Sequence, residues 1–227
     1  MMAKSKSAIA LGAFALGAFA LGLACTSASA ANLIVNGSFE DPDISPSTLS
    51  NAIPTGWTKG GSAGDASIWR VGYADGSGNV TVAGEGQQFV TMGGGFQASG
   101  TTTWSQTVGG LAIGQAYRLD FKIASEADFS GTQSILVGVD GSGAPGQTFT
   151  ASSPTGNYWK TWTDEGLSFV AGVGNVTVHF TYSGPFDMGL DDVRLTAAVP
   201  EPSTYVLMAA GLGLVGLASR RRKSRAA

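Results

Sequence analysis

Four aromatic side chains stand out for what they could bind. Tyr158 and Trp159 follow a Ser-Pro-Thr-Gly-Asn turn and have Lys160 and Asp164 as polar neighbours, while Trp69 and Tyr73 flank Arg70 in a second Gly-rich region. Flat Trp and Tyr faces stack on the apolar C–H faces of pyranose rings, and nearby amides and carboxylates bond the hydroxyls. These four are therefore candidate sugar-binding residues, with core burial, the ordinary fate of large aromatics, as the competing role. A second group is acidic. In Leu190-Asp191-Asp192-Val193-Arg194-Leu195, Asp191 shares the parity of Val193 and Leu195. If those two face a core, Asp191 is turned inward with them, and a buried carboxylate is costly unless it is paired or metal-bound. Oxygen-rich acidic groups suit Ca²⁺, so Asp191 is a candidate metal ligand, with Asp192 replacing it if the register slips. Capping of backbone amides, or an ion pair with Arg194, is the alternative.

Catalytic chemistry finds little support, and no catalytic residue is assigned. The one histidine, His179, lies between Val178 and Phe180 and is expected on the solvent side of a strand. No Gly-x-Ser-x-Gly elbow is present, which argues against a Ser/His/Asp hydrolase. Gly84-x-Gly86 and Gly93-Gly94-Gly95 precede no helical pattern, so they are not phosphate cradles. A two-carboxylate glycosidase needs only two acids at a suitable separation, and no motif selects a pair.

These residues sit in a chain of 227 residues with a formal net charge of −3. Residues 31–196 hold six bases against fifteen acids, a net charge of −9. Nucleic-acid binding relies on Lys and Arg neutralising phosphates, so that function class is excluded. Charged residues make up 13% and glycines number 34, roughly half and twice the usual shares. Such a composition suits strands and turns better than helices. Alternation at period two is the commonest pattern: Leu119, Phe121 and Ile123 share one face with Asp120 and Lys122 on the other, and Ile135, Val137 and Val139 alternate with Leu136 and Gly138. Leu167 with Phe169, and Val176, Val178, Phe180 and Tyr182, repeat it. Turn clusters such as Asn36-Gly37, Asp140-Gly141 and Gly184-Pro185 separate the runs. The spacing predicts one all-β sandwich or barrel over residues 31–198, with residues 41–54 as a polar loop.

Both ends read as targeting segments. Lys4 and Lys6 precede a run from residue 8 to 24 of Ala, Ile, Leu, Gly and Phe, followed by Ala28-Ser29-Ala30. This is the charged, apolar, small-residue order of a secretory signal with Ala30 at the cut, covering residues 1–30. A retained membrane helix and lipidation at Cys25 are the alternatives. If Ala30 is the cut, Cys25, the only cysteine, leaves with the signal. At the other end, Pro200-Glu201-Pro202 is followed by an uncharged stretch and then Arg220-Arg221-Arg222-Lys223. Residues 205–218 would form a helix of about 21 Å, short against a ~30 Å hydrocarbon core, and the basic cluster would stay cytoplasmic.

The Pro-Glu-Pro triplet, short apolar helix and Arg-rich tail of residues 199–227 closely resemble the PEP-CTERM sorting signal of bacteria that make exopolysaccharide. The resemblance implies export, transient anchoring in the inner membrane, and processing near Pro200, Glu201 and Pro202 by an exosortase. The body carries a second resemblance. Asn32 to Glu40 followed by Gly56-Trp57, then Trp104 to Val108, Gly114 to Phe121, Trp162 to Phe169 and Leu190 to Leu195, fall in the order shown by galactose-binding-like, carbohydrate-binding jelly-roll modules. That implies a single jelly-roll β-sandwich with Trp57, Trp104, Tyr117 and Trp162 in its core. It also implies that the opening strand lies near the closing one, placing Glu40 beside Asp191, and equivalent acids in the family often hold one structural Ca²⁺. The resulting expectation is an exported, non-catalytic envelope or matrix protein, associated with exopolysaccharide and in contact with glycan. A matrix protein without ligand and a glycan-active hydrolase are the competing readings.

Overall fold

The computed structural model describes residues 30–62, 67–72, 81–93, 100–125, 132–152, 161–184, 186–198, 208 and 211–213. Tyr73, Tyr158, Trp159, Pro200, Glu201 and Pro202 lie outside them. The chain divides into two compact units, Ser29–Glu201 and a second comprising Met1–Ala28 with Pro202–Ala227. In the second, Met208 and residues 211–213 are described, and they are helical and exposed. No helix among the described residues is long and apolar enough to cross a membrane.

The first unit is built from strands. In chain order these are β1 (Leu49–Ser50), β2 (Thr58–Gly61), β3 (Ile68–Arg70), β4 (Gln88–Gly93), β5 (Gly100–Gly109) and β6 (Ala116–Ser125). They are followed by β7 (Thr132–Asp140), β8 (Gln147–Ser152), β9 (Thr163–Val170), β10 (Asn175–Gly184) and β11 (Asp187–Ala197). One sheet has the order β1-β3-β4-β11-β6-β9 and the other β2-β5-β10-β7-β8, with every pairing antiparallel. The expected sandwich is thus present, and the polar loop 41–54 contains the short edge strand β1.

Period-two alternation decides which side chains meet between the sheets. Leu119, Phe121 and Ile123 of β6 face Ile135, Val137, Val178 and Phe180 across one core, joined by Leu190, Val193 and Leu195 of β11. Aromatic rings fill its centre: Phe121 meets Phe180 edge-on at 5.2 Å and Phe149 at 5.1 Å, and Trp57 lies between Phe39 (5.0 Å) and Phe180 (6.2 Å). The buried indoles keep their hydrogen bonds, Trp57 Nε1 donating to Asn36 O and Trp104 Nε1 to Thr91 O, both at 3.0 Å. Trp57, Trp104 and Tyr117 are core residues as the resemblance implied. Trp162 is not. It is half-buried in a smaller cluster with Trp69, Phe89 and Ala124. Those residues alternate with Ile68, Val90 and Ile123 of the main core, so this cluster lies on the outer face of the six-stranded sheet.

The opening segment does not enter a sheet ladder, yet it is stitched to the closing strand. Leu33 N donates to Leu195 O at 2.8 Å, Leu195 N to Asn32 Oδ1 at 2.9 Å, and Val193 N to Gly37 O at 2.9 Å. Gly37 permits this approach, because a Cβ there would lie 2.0 Å from Val193 O.

Candidate functional site

Strand β11 carries the acidic pair, and a β-bulge determines where each side chain goes. Its pairing with β6 shifts between Asp191 and Arg194, and Asp192 takes a positive φ of 50°. The extra residue breaks the simple alternation. Asp191 pairs with Lys122 of β6, an outward position, whereas Val193 and Leu195 return to the core. The sequence expectation of burial holds, with 0% exposure for Asp191, but the parity argument does not. Asp191 is buried on the outer face, beneath the segment leading into β4. Its Oδ2 accepts from Glu85 N at 2.8 Å and its Oδ1 from Asp192 N at 2.7 Å. Burial pushes its carboxyl up from 3.8 to about 8, with the adjacent Asp192 charge adding to that and amide bonds from Glu85, Asp192 and Gly84 opposing it.

Glu40 reaches the same segment. Its Oε1 accepts from Gln87 N at 2.6 Å and Gln88 N at 2.8 Å, and a Cβ on Gly86 (φ 65°) would come within 2.3 Å of that oxygen. Glu40 and Asp191 therefore converge on residues 85–88. Among the described residues no group of three or more His, Cys, Asp or Glu side chains is arranged to hold a metal. Both carboxylates accept backbone amides, Glu40 from Gln87 and Gln88 and Asp191 from Glu85 and Asp192, the capping arrangement that the sequence offered as the alternative to a metal. Asp192 is committed elsewhere: Arg194 reaches it at 2.7 Å and Lys122 at 3.9 Å.

Those two bases belong to a cleft of about 400 Å³ on the outer face of the six-stranded sheet. Arg118, Asp120 and Lys122 of β6 line it with Asp164 and Glu165 of β9 and Asp192 and Arg194 of β11. The strands place these residues by register: Asp120 opposes Arg194 on one side and Gly166 on the other, and Lys122 opposes Asp164. Gly166 keeps the floor low, since a Cβ there would meet Asp120 Oδ1 at 2.6 Å. Arg118 bonds Asp120 at 2.7 Å, and Lys122 pairs with Asp164. Three of the six bases in residues 31–196 thus gather here. Trp162 adjoins the cleft, because Gly84 packs against both its ring and the Lys122 side chain. Planar charged groups beside an indole make a surface suited to hydroxyl-rich ligands. The sequence signal was the outward alternation Arg118-x-Asp120-x-Lys122, and its meeting with Arg194 and Asp164 depends on long-range register.

The predicted aromatics fare differently. Trp69 is 8% exposed, donates from Nε1 to Ser67 Oγ at 2.9 Å, and packs on Phe89. Its alternation with Ile68 puts it on the outer face, but Phe89 and the chain above cover it, so it offers no stacking surface; this corrects the sugar-binding assignment. Tyr73, Tyr158 and Trp159 fall outside the described residues. His179 lies on the outer face of the five-stranded sheet, 3.6 Å from Asp140. There Thr101–Ser183, Thr103–Thr181 and Thr107–Thr177 bond across β5 and β10, each at 3.0 Å.

With this geometry in view, comparison with known proteins settles two points. Residues 198–223 carry a PEP-CTERM protein-sorting motif. The motif implies an exported protein that is processed by an exosortase. No curated protein sequence matches the chain. Among solved structures, TmCBM61 in complex with β-1,4-galactotriose shares 20% identity over 74% of this chain and 100% of its own, with a TM-score of 0.52. Arabinose-bound MgGH51 α-L-arabinofuranosidase shares 14% identity over 74% of this chain but 26% of its own, with a TM-score of 0.50. The CBM22-1 xylan-binding domain from Paenibacillus barcinonensis Xyn10C shares 14% over 76% and 98%, at a TM-score of 0.45. The body has the jelly-roll β-sandwich fold of carbohydrate-binding modules.

Proposed function

We propose that the body is a non-catalytic glycan-binding module of the cell envelope or extracellular matrix, associated with exopolysaccharide. The charged cleft beside Trp162 carries this reading. Arg and Asp forks bond vicinal sugar hydroxyls in pairs, and Arg118 and Asp120, though bonded to each other at 2.7 Å, keep about half of each side chain exposed to a ligand. Asp191, whose carboxyl burial pushes up to about 8, is wholly buried and out of reach of a substrate, so it does not serve as a general acid. In a pull-down with the producer's own polysaccharide and on a glycan array, Arg118→Ala should weaken binding about tenfold, near 1.4 kcal/mol, with an unchanged circular dichroism spectrum. Trp159→Ala tests the second aromatic candidate in the same assay. Retention unaffected by either substitution, or absent from the parent protein, would leave a purely structural matrix protein as the better reading.

The same proposal divides the chain into a signal over residues 1–30, the sandwich over 31–198 and the sorting segment over 199–227. Cleavage follows Ala30 and falls near Pro200, Glu201 and Pro202. Mass spectrometry of the released protein should find neither Lys4 nor Arg220; a full-length mass would contradict this division. Glu40 and Asp191 would hold one Ca²⁺, whose charge would offset the burial of Asp191. Chelation should then lower the melting temperature, and an unchanged melt removes the ion from the proposal.

A further inference from the structure

The loops at one end of the sandwich carry no charged residue and expose aliphatic side chains, and the sorting segment leaves from them. The loops there are residues 110–116, 141–146 and 171–175, eighteen residues without a single Asp, Glu, Lys, Arg or His. They are tied together by Leu111 N to Gly174 O (2.9 Å), Gly114 N to Ala171 O (2.8 Å) and Gly172 N to Gly141 O (3.1 Å). From this frame Ile113 is 73% exposed and Val173 44%, and Val170, at the end of β9 opposite Ala116, is 53% exposed. The three loops contribute nothing to the body's net charge of −9, and the exposed Asp140 stands at their margin, 3.6 Å from His179.

The last described residue of the sandwich is at the same place. Ala198 N donates to Ala116 O at 2.9 Å, and Gln115 Nε2 donates to Ala198 O at 3.1 Å. The sorting motif begins at that residue. Six residues, 199–204, separate it from the apolar stretch that starts at Tyr205. Fully extended they span roughly 20 Å. While the apolar stretch is held in a bilayer, this end cannot move further than that from the lipid surface. An anionic surface repels the acidic faces of the body and leaves an uncharged, aliphatic end free to approach.

We propose that Ile113, Val170 and Val173 form a membrane-facing tip that enters the lipid interface while the sorting segment anchors the protein. The inference rests on the reading of that segment as a membrane anchor, and the test separates the two. The processed chain, residues 31–227 with Ile113→Cys, labelled with an environment-sensitive fluorophore, is reconstituted into phosphatidylglycerol/phosphatidylethanolamine vesicles containing spin-labelled lipid. Thr103→Cys, on the outer face of the five-stranded sheet, is the control. The chain should float with the vesicles, and the label at 113 should be quenched at least twofold more than that at 103. Failure to float defeats the anchor reading itself. Flotation with equal quenching at 113 and 103 overturns the tip alone, whether both are low or both high. A blue shift at 113 that grows with protein concentration and ignores the spin label would assign the patch to a second copy of the chain, and would also overturn it.

Discussion

In chelator, the melting temperature of the protein is expected to fall steadily between about pH 5 and pH 8 and to level off above. The cause is Asp191, whose folded-state carboxyl is raised from 3.8 to about 8 chiefly by burial. Below the unfolded value both states are protonated and the group contributes no difference. Between the two values the unfolded chain releases a proton that the folded chain retains, so each rise in pH favours unfolding. At about 1.4 kcal/mol per unit, the loss from pH 5 to pH 8 is on the order of 4 kcal/mol. For a domain of this size that is roughly 10 °C. Calcium should flatten the decline, because a cation beside Glu40 and Asp191 favours the ionised form. Asp191→Asn should flatten it without calcium, although the amide forfeits one of the two acceptances from Glu85 N and Asp192 N, at about 1–3 kcal/mol. Melting curves that superimpose across this range in chelator would refute the account of Asp191.

Phe180→Ala is expected to be the most damaging single substitution in the core. The ring is fully buried and touches Phe121 edge-on at 5.2 Å and Trp57 at 6.2 Å, so it joins strands of both sheets with the residue that leads into β2. Truncations of this kind cost about 3–5 kcal/mol through lost transfer energy and the cavity left behind. Natural domains hold only about 5–15 kcal/mol in total, so much of the variant would be unfolded at 37 °C. Denaturant unfolding followed by Trp fluorescence would measure the change. A loss below about 1 kcal/mol would mean that the site refills and that the aromatic cluster is not the keystone of the core.

The strands were legible where side chains obey strict alternation. In β10, and in β6 as far as Ile123, the residues of one parity are buried and those of the other face outward, because a sheet with one solvated face imposes that pattern. Asp191 shows where such reading fails. A single inserted residue at Asp192 reverses the parity, and nothing local in Leu190-Asp191-Asp192-Val193 announces it. Trp69 and Phe89 mislead for a related reason. Their sheet is covered on part of its outer face by the chain before β4, so outward residues there are buried as well. The cleft was hidden because its members lie on β6, β9 and β11, brought together by pairings between residues 42 to 74 positions apart. Sequence shows Arg118, Asp120 and Lys122 as charged and outward; only register brings Asp164 and Arg194 beside them.

The position of β11 between β4 and β6 has a bearing on how the chain matures. Synthesis delivers the strands from the amino terminus, and until residue 197 is available the larger sheet has a vacancy at its middle rather than a frayed margin. Among the described residues, all ten earlier strands can be complete while the two halves of that sheet still lack the piece that joins them. A nascent or prematurely terminated chain would therefore remain open and sensitive to proteases, and closure would come only as the sorting motif itself emerges.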